Sequence, residues 1–139
     1  MSDLAFFDTN ILIYTDDDRS PAKQTRAAGL IEDYQRRDAV AISLQVLQEY
    51  YAVITRKLGI DAEQAQRKVE ILAQEKVIRF DSRDVIAAIE LHRLTRISFW
   101  DAMIVHAARL AGASVLYTED LQHGAVLGGV PVVNPFLKA

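Results

Sequence analysis

Short apolar runs alternate along this chain with longer segments of helical periodicity, and this alternation restricts the fold more than any other feature. Strands separated by helices need crossover connections, which join parallel strands of one sheet. The sequence therefore predicts an α/β fold, a sandwich around a central parallel sheet of about five strands. Because the 139 residues contain no internal repeat or long linker, we expect a single domain over residues 1–139.

The predicted elements follow from apolar patterns and from signals at their ends. The strands are predicted at Leu4–Phe7, Val40–Ile42, Val77–Phe80, Ser114–Tyr117 and Val130–Val133. Ser20 followed by Pro21 predicts a helix start, and Gly59 and Gly112 predict helix ends. The helices are predicted at Pro21–Arg37, Leu44–Leu58, Asp61–Gln74, about Arg83–Arg96 and about Phe99–Ala111.

Composition excludes several classes of site. The chain has no cysteine, which excludes disulfides, thiolate zinc sites and cysteine nucleophiles. No apolar run approaches the roughly 20 residues that span a bilayer. No basic stretch precedes the first apolar segment, so we expect no signal peptide and a cytoplasmic protein. The formal net charge of −3 argues against a protein that only grips phosphates.

Two aspartates stand directly after predicted strands. Asp8 follows the first strand, and Asp120 follows the fourth. Sites of parallel α/β sheets form beyond the carboxyl ends of the strands, where both residues are expected. Either residue alone is equally well explained as a helix cap or a turn residue.

Two further acids lie on predicted helices. Glu49 stands beside Val46 and Val53, at the edge of a buried face, where a carboxylate costs free energy unless it is paired or binds a metal. A pair with Arg56 or with a basic residue of a neighbouring helix is the structural alternative. Asp101 lies on a helix that is apolar almost all round, which indicates a buried helix. The spacing of Ser98 and Asp101 also matches a capping box, which is compatible with a site.

The four carboxylates can converge in one pocket, where their charges would repel one another strongly. Divalent cations relieve that repulsion, and oxygen ligands without His or Cys select hard ions such as Mg²⁺ or Mn²⁺. Such ions activate water and stabilise the charge that develops during phosphoryl transfer. The sequence thus predicts a site for metal-assisted hydrolysis, with Asp8, Glu49, Asp101 and Asp120 as its acids.

Four segments contain these acids, namely Phe7-Asp8-Thr9-Asn10-Ile11-Leu12-Ile13, Gln48-Glu49-Tyr50, Trp100-Asp101-Ala102-Met103-Ile104 and Thr118-Glu119-Asp120-Leu121. In this order they resemble the motifs of PIN-domain nucleases. The ending, Val133-Asn134-Pro135-Phe136, resembles VapC-type toxins of toxin–antitoxin pairs. The resemblance covers nearly the whole chain and implies a three-layer α/β/α sandwich.

The resemblance also implies an activity: Mg²⁺- or Mn²⁺-dependent cleavage of single-stranded RNA. Asp8, Glu49, Asp101 and Asp120 then become catalytic metal ligands, with Glu119 as an alternative to Asp120. Thr9, Asn10 and Thr118 then have supporting roles, in which they orient the carboxylates or a water. By analogy with the family we expect a homodimer and an antitoxin partner.

The net charge is compatible with RNA binding once the four site acids are excluded, because 15 acidic residues then remain against 16 basic ones. The basic residues that could border an RNA groove are Arg19, Lys23, Arg26, Arg36, Arg37, Arg56 and Lys57. His123, near Asp120, is a further candidate for substrate contact. The acidic run of residues 16–18 is expected to form a solvated loop.

Three other functional classes share part of this pattern. A haloacid dehalogenase-type phosphatase needs a second acid where this chain has Asn10. A phospho-receiver domain needs a lysine after a late strand, and Tyr117-Thr118-Glu119 lacks it. A degenerate PIN fold that acts as a non-catalytic binding module stays open, although the four intact acids speak against it.

Overall fold

A six-stranded sheet forms the centre of the molecule. The computed structural model describes residues 3–137, so positions 1, 2, 138 and 139 of the predicted domain lie outside the described residues. The strands are β1 (Ala5–Phe7), β2 (Val40–Ser43), β3 (Lys76–Ile78), β4 (Val115–Tyr117), β5 (Val126–Leu127) and β6 (Val130–Val133). Their spatial order is β3-β2-β1-β4-β6-β5, and every neighbouring pair is parallel except β5 with β6.

The crossover connections distribute the helices over the two faces of the sheet. The helices are α1 (Thr9–Tyr14), α2 (Pro21–Arg36), α3 (Leu44–Arg56), α4 (Ala62–Leu72), α5 (Ser82–Thr95) and α6 (Phe99–Ala111). The chain moves outward from β1 through β2 to β3, and then returns across the sheet to β4. Because such crossovers are right-handed, the outward and returning helices lie on opposite faces. The predicted α/β sandwich is confirmed.

The core lies between the sheet and these helices. The largest fully buried side chains of the sheet are Phe6, Phe7, Ile42, Leu116 and Val132. Helix α6 is buried along most of its length, as its apolar surface predicted. It packs on β1, β2, β3, β4 and β6, which brings its first turn to the carboxyl ends of the central strands.

Helix α1 was missed by the sequence prediction. It begins directly after β1, and its residues Ile11 and Leu12 are buried. A six-residue helix is too short to show helical periodicity, and its Ile11-Leu12-Ile13 run is ambiguous between strand and helix. The two-residue β5 and its antiparallel pairing were also not predicted, and β3 begins one residue earlier than expected.

The expectation of a solvated loop at residues 16–18 is wrong for two of the three aspartates. Asp17 is buried and binds Arg19, with 2.9 Å between Oδ1 and Nε. Asp16 accepts a hydrogen bond from the Tyr50 hydroxyl at 2.5 Å and lies 3.0 Å from the Lys68 ammonium. Tyr50 and Lys68, which are distant in sequence, draw Asp16 inward. The partner of Asp17 is the nearby Arg19, and Asp18 stays exposed.

Within residues 3–137, no helix combines the length and the apolar character needed to cross a membrane.

Truncating the centre of β1 should test how the sheet contributes to stability. Phe6 is 0% exposed, so Phe6→Ala leaves a cavity and should lower the free energy of unfolding by about 3–5 kcal/mol. Leu94 is 83% exposed, and Leu94→Ala should change the same quantity by less than about 0.5 kcal/mol. Urea denaturation of both variants measures the difference, and equal losses would contradict the proposed core.

Candidate metal centre

Strands β1 and β4 bring two parts of the site together because they are parallel neighbours. Their register pairs Phe7 with Tyr117, and the backbone N–H of Asp8 donates to the carbonyl of Tyr117 at 3.0 Å. Asp8 and Thr118 therefore leave the sheet side by side. Two residues later, Asp120 lies above the same edge.

The Asp8 carboxylate is held by two donors in a buried setting. Its side chain caps α1 by accepting the backbone N–H of Thr9 at 2.7 Å, and the Thr118 hydroxyl donates to its other oxygen at 2.8 Å. Burial raises the pKa of Asp8 to about 7, since the lowering by these two hydrogen bonds is smaller, and the charges of Asp120 and Asp101 raise it further. This carboxylate is therefore costly to ionise without a compensating cation.

Asp101 approaches Asp8 from the first turn of α6. Ser98 caps this helix, and its side chain accepts the backbone N–H of Asp101 at 3.0 Å. Burial raises the pKa of Asp101, the Ser98 hydroxyl opposes that shift, and the charges of Asp120 and Glu49 add to it. Carboxylate oxygens of Asp8, Asp101 and Asp120 all lie within 4.8 Å of one another.

Glu49 lies beside this cluster but outside its 4.8 Å group. Its side chain is exposed, and it accepts hydrogen bonds from the Thr9 hydroxyl at 3.2 Å and from the Gln45 amide at 2.7 Å. No ion pair with Arg56 forms among the described residues. The Gln45 contact was not predicted, although its spacing of four residues on α3 was visible in the sequence.

Asn10 and Thr118 connect the remaining acid to the site. The Asn10 amide donates to Asp120 at 2.9 Å and to the Thr118 hydroxyl oxygen at 3.4 Å, and that oxygen also accepts the backbone N–H of Asp120 at 3.0 Å. The Oδ1 atom of Asn10 is buried and has no hydrogen-bond partner within the described chain. All three predicted supporting residues, Thr9 included, thus contact site acids.

Glu119 lies close to Asp120 in sequence but belongs to a different cluster. It accepts hydrogen bonds from the Tyr14 hydroxyl at 2.5 Å and from the Lys23 ammonium at 2.6 Å. Burial alone would raise the pKa of Glu119, but Lys23 and Tyr14 outweigh it and hold the pKa below its usual value. The sequence left Glu119 and Asp120 as alternatives, and the structure places only Asp120 with Asp8 and Asp101. The contact of Lys23 had no local signal, because 96 residues separate the partners.

The other predicted substrate contacts have protein partners. His123 accepts the backbone N–H of Asn134 at 3.0 Å. Five of the seven candidate basic residues bind acids or a carbonyl oxygen, namely Arg19, Lys23, Arg26, Arg36 and Arg37.

The donor set fits a hard divalent cation. Three carboxylates converge at distances that a shared ion can bridge, and the orphaned Asn10 oxygen adds a neutral acceptor beside them. The raised pKa of Asp8 and of Asp101 has the same main cause, which is burial, and the charges of neighbouring carboxylates add to it.

Comparisons with known proteins agree with this fold. The family model of the PIN domain matches residues 5–126. A chain of a toxin–antitoxin complex from Klebsiella pneumoniae is 26% identical, with a TM-score of 0.69 over 95% of this chain and 98% of that one. A chain of VapBC2 from Rickettsia felis, bound to a promoter DNA fragment, is 21% identical, with a TM-score of 0.68 over 93% and 96%.

A third structure has the same fold at lower similarity. The sarcin–ricin loop cleaving toxin VapC20 from Mycobacterium tuberculosis is 18% identical, with a TM-score of 0.57 over 81% of this chain and 86% of that one. Among curated proteins, none matches this sequence.

The raised pKa of Asp8 predicts a pH-dependent cost in the metal-free protein. The pKa is about 7 in the folded state against 3.8 for an ordinary aspartate, so folding becomes less favourable as pH rises between these values. Asp8→Asn removes the charge and retains cap geometry. In EDTA it should raise the free energy of unfolding at pH 8, by up to about 4 kcal/mol, and have little effect near pH 4.

Urea denaturation at both pH values measures this difference. The matched control is Asp33→Asn on the exposed surface of α2, which should show no comparable gain at pH 8. A gain for Asp8→Asn that is the same at pH 4 and pH 8 would contradict the assignment of the cost to ionisation.

Proposed function

The chain belongs to the PIN-domain family, and we propose that it is a Mg²⁺- or Mn²⁺-dependent ribonuclease that cleaves single-stranded RNA. The convergence of Asp8, Asp101 and Asp120 is the observation that carries the proposal. Three hard oxygen donors without His or Cys favour these ions. When bound, such an ion supplies activated water and stabilises charge on the phosphoryl group.

In this proposal Asp8, Asp101 and Asp120 hold the metal, and Glu49 completes the acidic edge. Glu49 lies outside the tight group, so its carboxylate would act on a water or on substrate from the edge of the cluster. Its hydrogen bonds with Thr9 and Gln45 orient it towards the cluster. All four acids are thus proposed to serve the reaction.

Three polar residues fix the carboxylates. The Thr118 hydroxyl donates to Asp8, and the Asn10 amide donates to Asp120. Each hydrogen bond favours the ionised carboxylate, which is the form that binds a cation. Thr9 contributes its backbone N–H to Asp8 and its hydroxyl to Glu49, so it couples the buried and exposed acids.

We further propose that the chain is the toxin of a toxin–antitoxin pair and forms a homodimer. The support is the similarity to the Klebsiella pneumoniae toxin–antitoxin chain, which extends over nearly the full length of both chains. The antitoxin partner would need to cover the acidic cluster to silence it.

Cleavage of labelled single-stranded RNA tests the chemistry. Activity should require Mg²⁺ or Mn²⁺ and disappear with EDTA. Asp8→Asn and Asp101→Asn should each lower kcat/KM by more than about 100-fold, because each removes a proposed metal ligand. Thr118→Val should cost roughly 10- to 100-fold, as expected for a residue that orients a ligand. The surface variant Asp33→Asn should retain wild-type activity.

Unchanged cleavage in EDTA, or by Asp8→Asn, would refute the metal mechanism. Metal-independent RNA binding without cleavage under any of these conditions would instead favour the non-catalytic binding module.

Expression in bacteria tests the toxin role. The wild-type chain should arrest growth, Asp8→Asn should not, and co-expression of a small DNA-binding protein encoded beside the gene should relieve the arrest. Normal growth with active nuclease present would contradict the toxin role and leave the nuclease proposal intact.

A further inference from the structure

A small cavity opens beyond the carboxyl ends of β2 and β3. Its volume is about 160 Å³. Polar groups enter from the start of α3, and apolar groups enter from β3, from the segment after it and from α6. The lining includes Ser43, Gln45, Gln48, Ile78, Phe80 and Met103.

The cavity adjoins the acidic cluster. Gln45 lines it and donates a hydrogen bond to Glu49 at 2.7 Å, so one side chain borders both spaces. Met103 lines the opposite wall and follows Asp101 by two residues on α6. The cavity therefore lies next to Glu49, at the edge of the acidic cluster.

The lining favours an uncharged ring over an ion. No charged side chain lines the cavity, and the neighbouring carboxylates disfavour an anion there. Phe80 offers an aromatic surface, while Ile78 and Met103 offer apolar contacts. The buried Ser43 and the two glutamine amides add polar groups to the lining. An apolar slot with a few polar groups is the usual form of a site for a nucleobase or a similar ring.

The Gln48 amide is available for recognition. Its side chain is exposed and makes no hydrogen bond within residues 3–137, whereas the Gln45 amide is already committed to Glu49. An amide presents one donor pair and one acceptor, which matches the hydrogen-bonding edge of a base.

We propose that this cavity receives one pyrimidine base of the RNA strand whose phosphate lies at the acidic cluster. The proposal rests on the proposed ribonuclease function and adds its base preference. The cavity, at about 160 Å³, is close in volume to one of about 150 Å³ that holds a single six-membered ring. A pyrimidine therefore fits with little displacement of the lining, whereas the two fused rings of a purine fill the space more tightly.

Sequencing of the cleavage products from a randomised RNA pool tests the preference. The wild-type protein should favour uridine or cytidine at one fixed position beside the cut. Gln48→Leu keeps the size of the side chain but removes its amide, and it should reduce that preference about two- to tenfold, the effect of one hydrogen bond. Gln64→Leu, an exposed change of the same type on α4, should leave the preference unaltered.

NMR with nucleoside monophosphates separates this inference from the nuclease proposal, because it needs no cleavage. Uridine or cytidine monophosphate should shift the side-chain amide signals of Gln45 and Gln48 more strongly than adenosine monophosphate. Gln48→Leu should weaken the uridine monophosphate response, and Gln64→Leu should not.

Each outcome has a definite meaning. Shifts at these amides in a protein that cleaves no RNA would support the base pocket and refute the nuclease. Cleavage without a base preference at any position, or a preference that Gln48→Leu leaves intact, would overturn the pocket alone. Equal responses to purine and pyrimidine monophosphates, or a cavity filled by a partner protein in the assembled complex, would also overturn it.

Discussion

The burial of one carboxylate at the end of the central strand is the constraint on which the site depends. Asp8 leaves β1 in a nearly water-free position, and its charge is compensated only by the Thr9 backbone and the Thr118 hydroxyl. Two hydrogen bonds stabilise an ionised carboxylate less than burial destabilises it, so its pKa rises to about 7. The same contacts cap α1 and tie it to β4. The Asp8 carboxylate therefore determines both the local fold at this strand end and the unfavourable burial of charge in the site.

Sheet topology explains why this carboxylate has acidic neighbours. The chain leaves β1 towards β2 on one side, while β4 lies on the other, so the strand order reverses between β1 and β4. A crevice forms at such a reversal, beyond the carboxyl ends of the strands. Asp8 and Asp120 enter it from the two strands, and α6 brings Asp101 across the sheet. Acids that are distant in sequence meet there, and their repulsion is relieved either by protonation, which the raised pKa of Asp8 favours, or by a bound cation.

The net charge says little about how charge is distributed in this molecule, because acidic and basic groups are concentrated in different places. The site concentrates negative charge in one crevice, while Lys23 is bound to Glu119 beside it, and Arg19 is bound to Asp17. Because Lys23 is paired with Glu119, it does not neutralise Asp120. The uncharged cavity next to Glu49 completes this division, with the phosphate proposed at the acids and a base beside them.

The sequence alone determined the α/β alternation and the main strands and helices, because these depend on local periodicity. It also determined the acids that follow β1, follow β4 or begin α6, because these are recognised by residue type. It did not determine α1, which is too short for a periodic signal, or the separation of Glu119 from Asp120. Tertiary structure decided those points, together with the burial of Asp16 and Asp17 and the cavity beside Gln45. The positions of Glu119 and Asp16 depend on partners distant along the chain, which are Lys23 for Glu119 and Tyr50 for Asp16. Local pattern cannot encode such contacts, because they form only when the helices pack on the sheet.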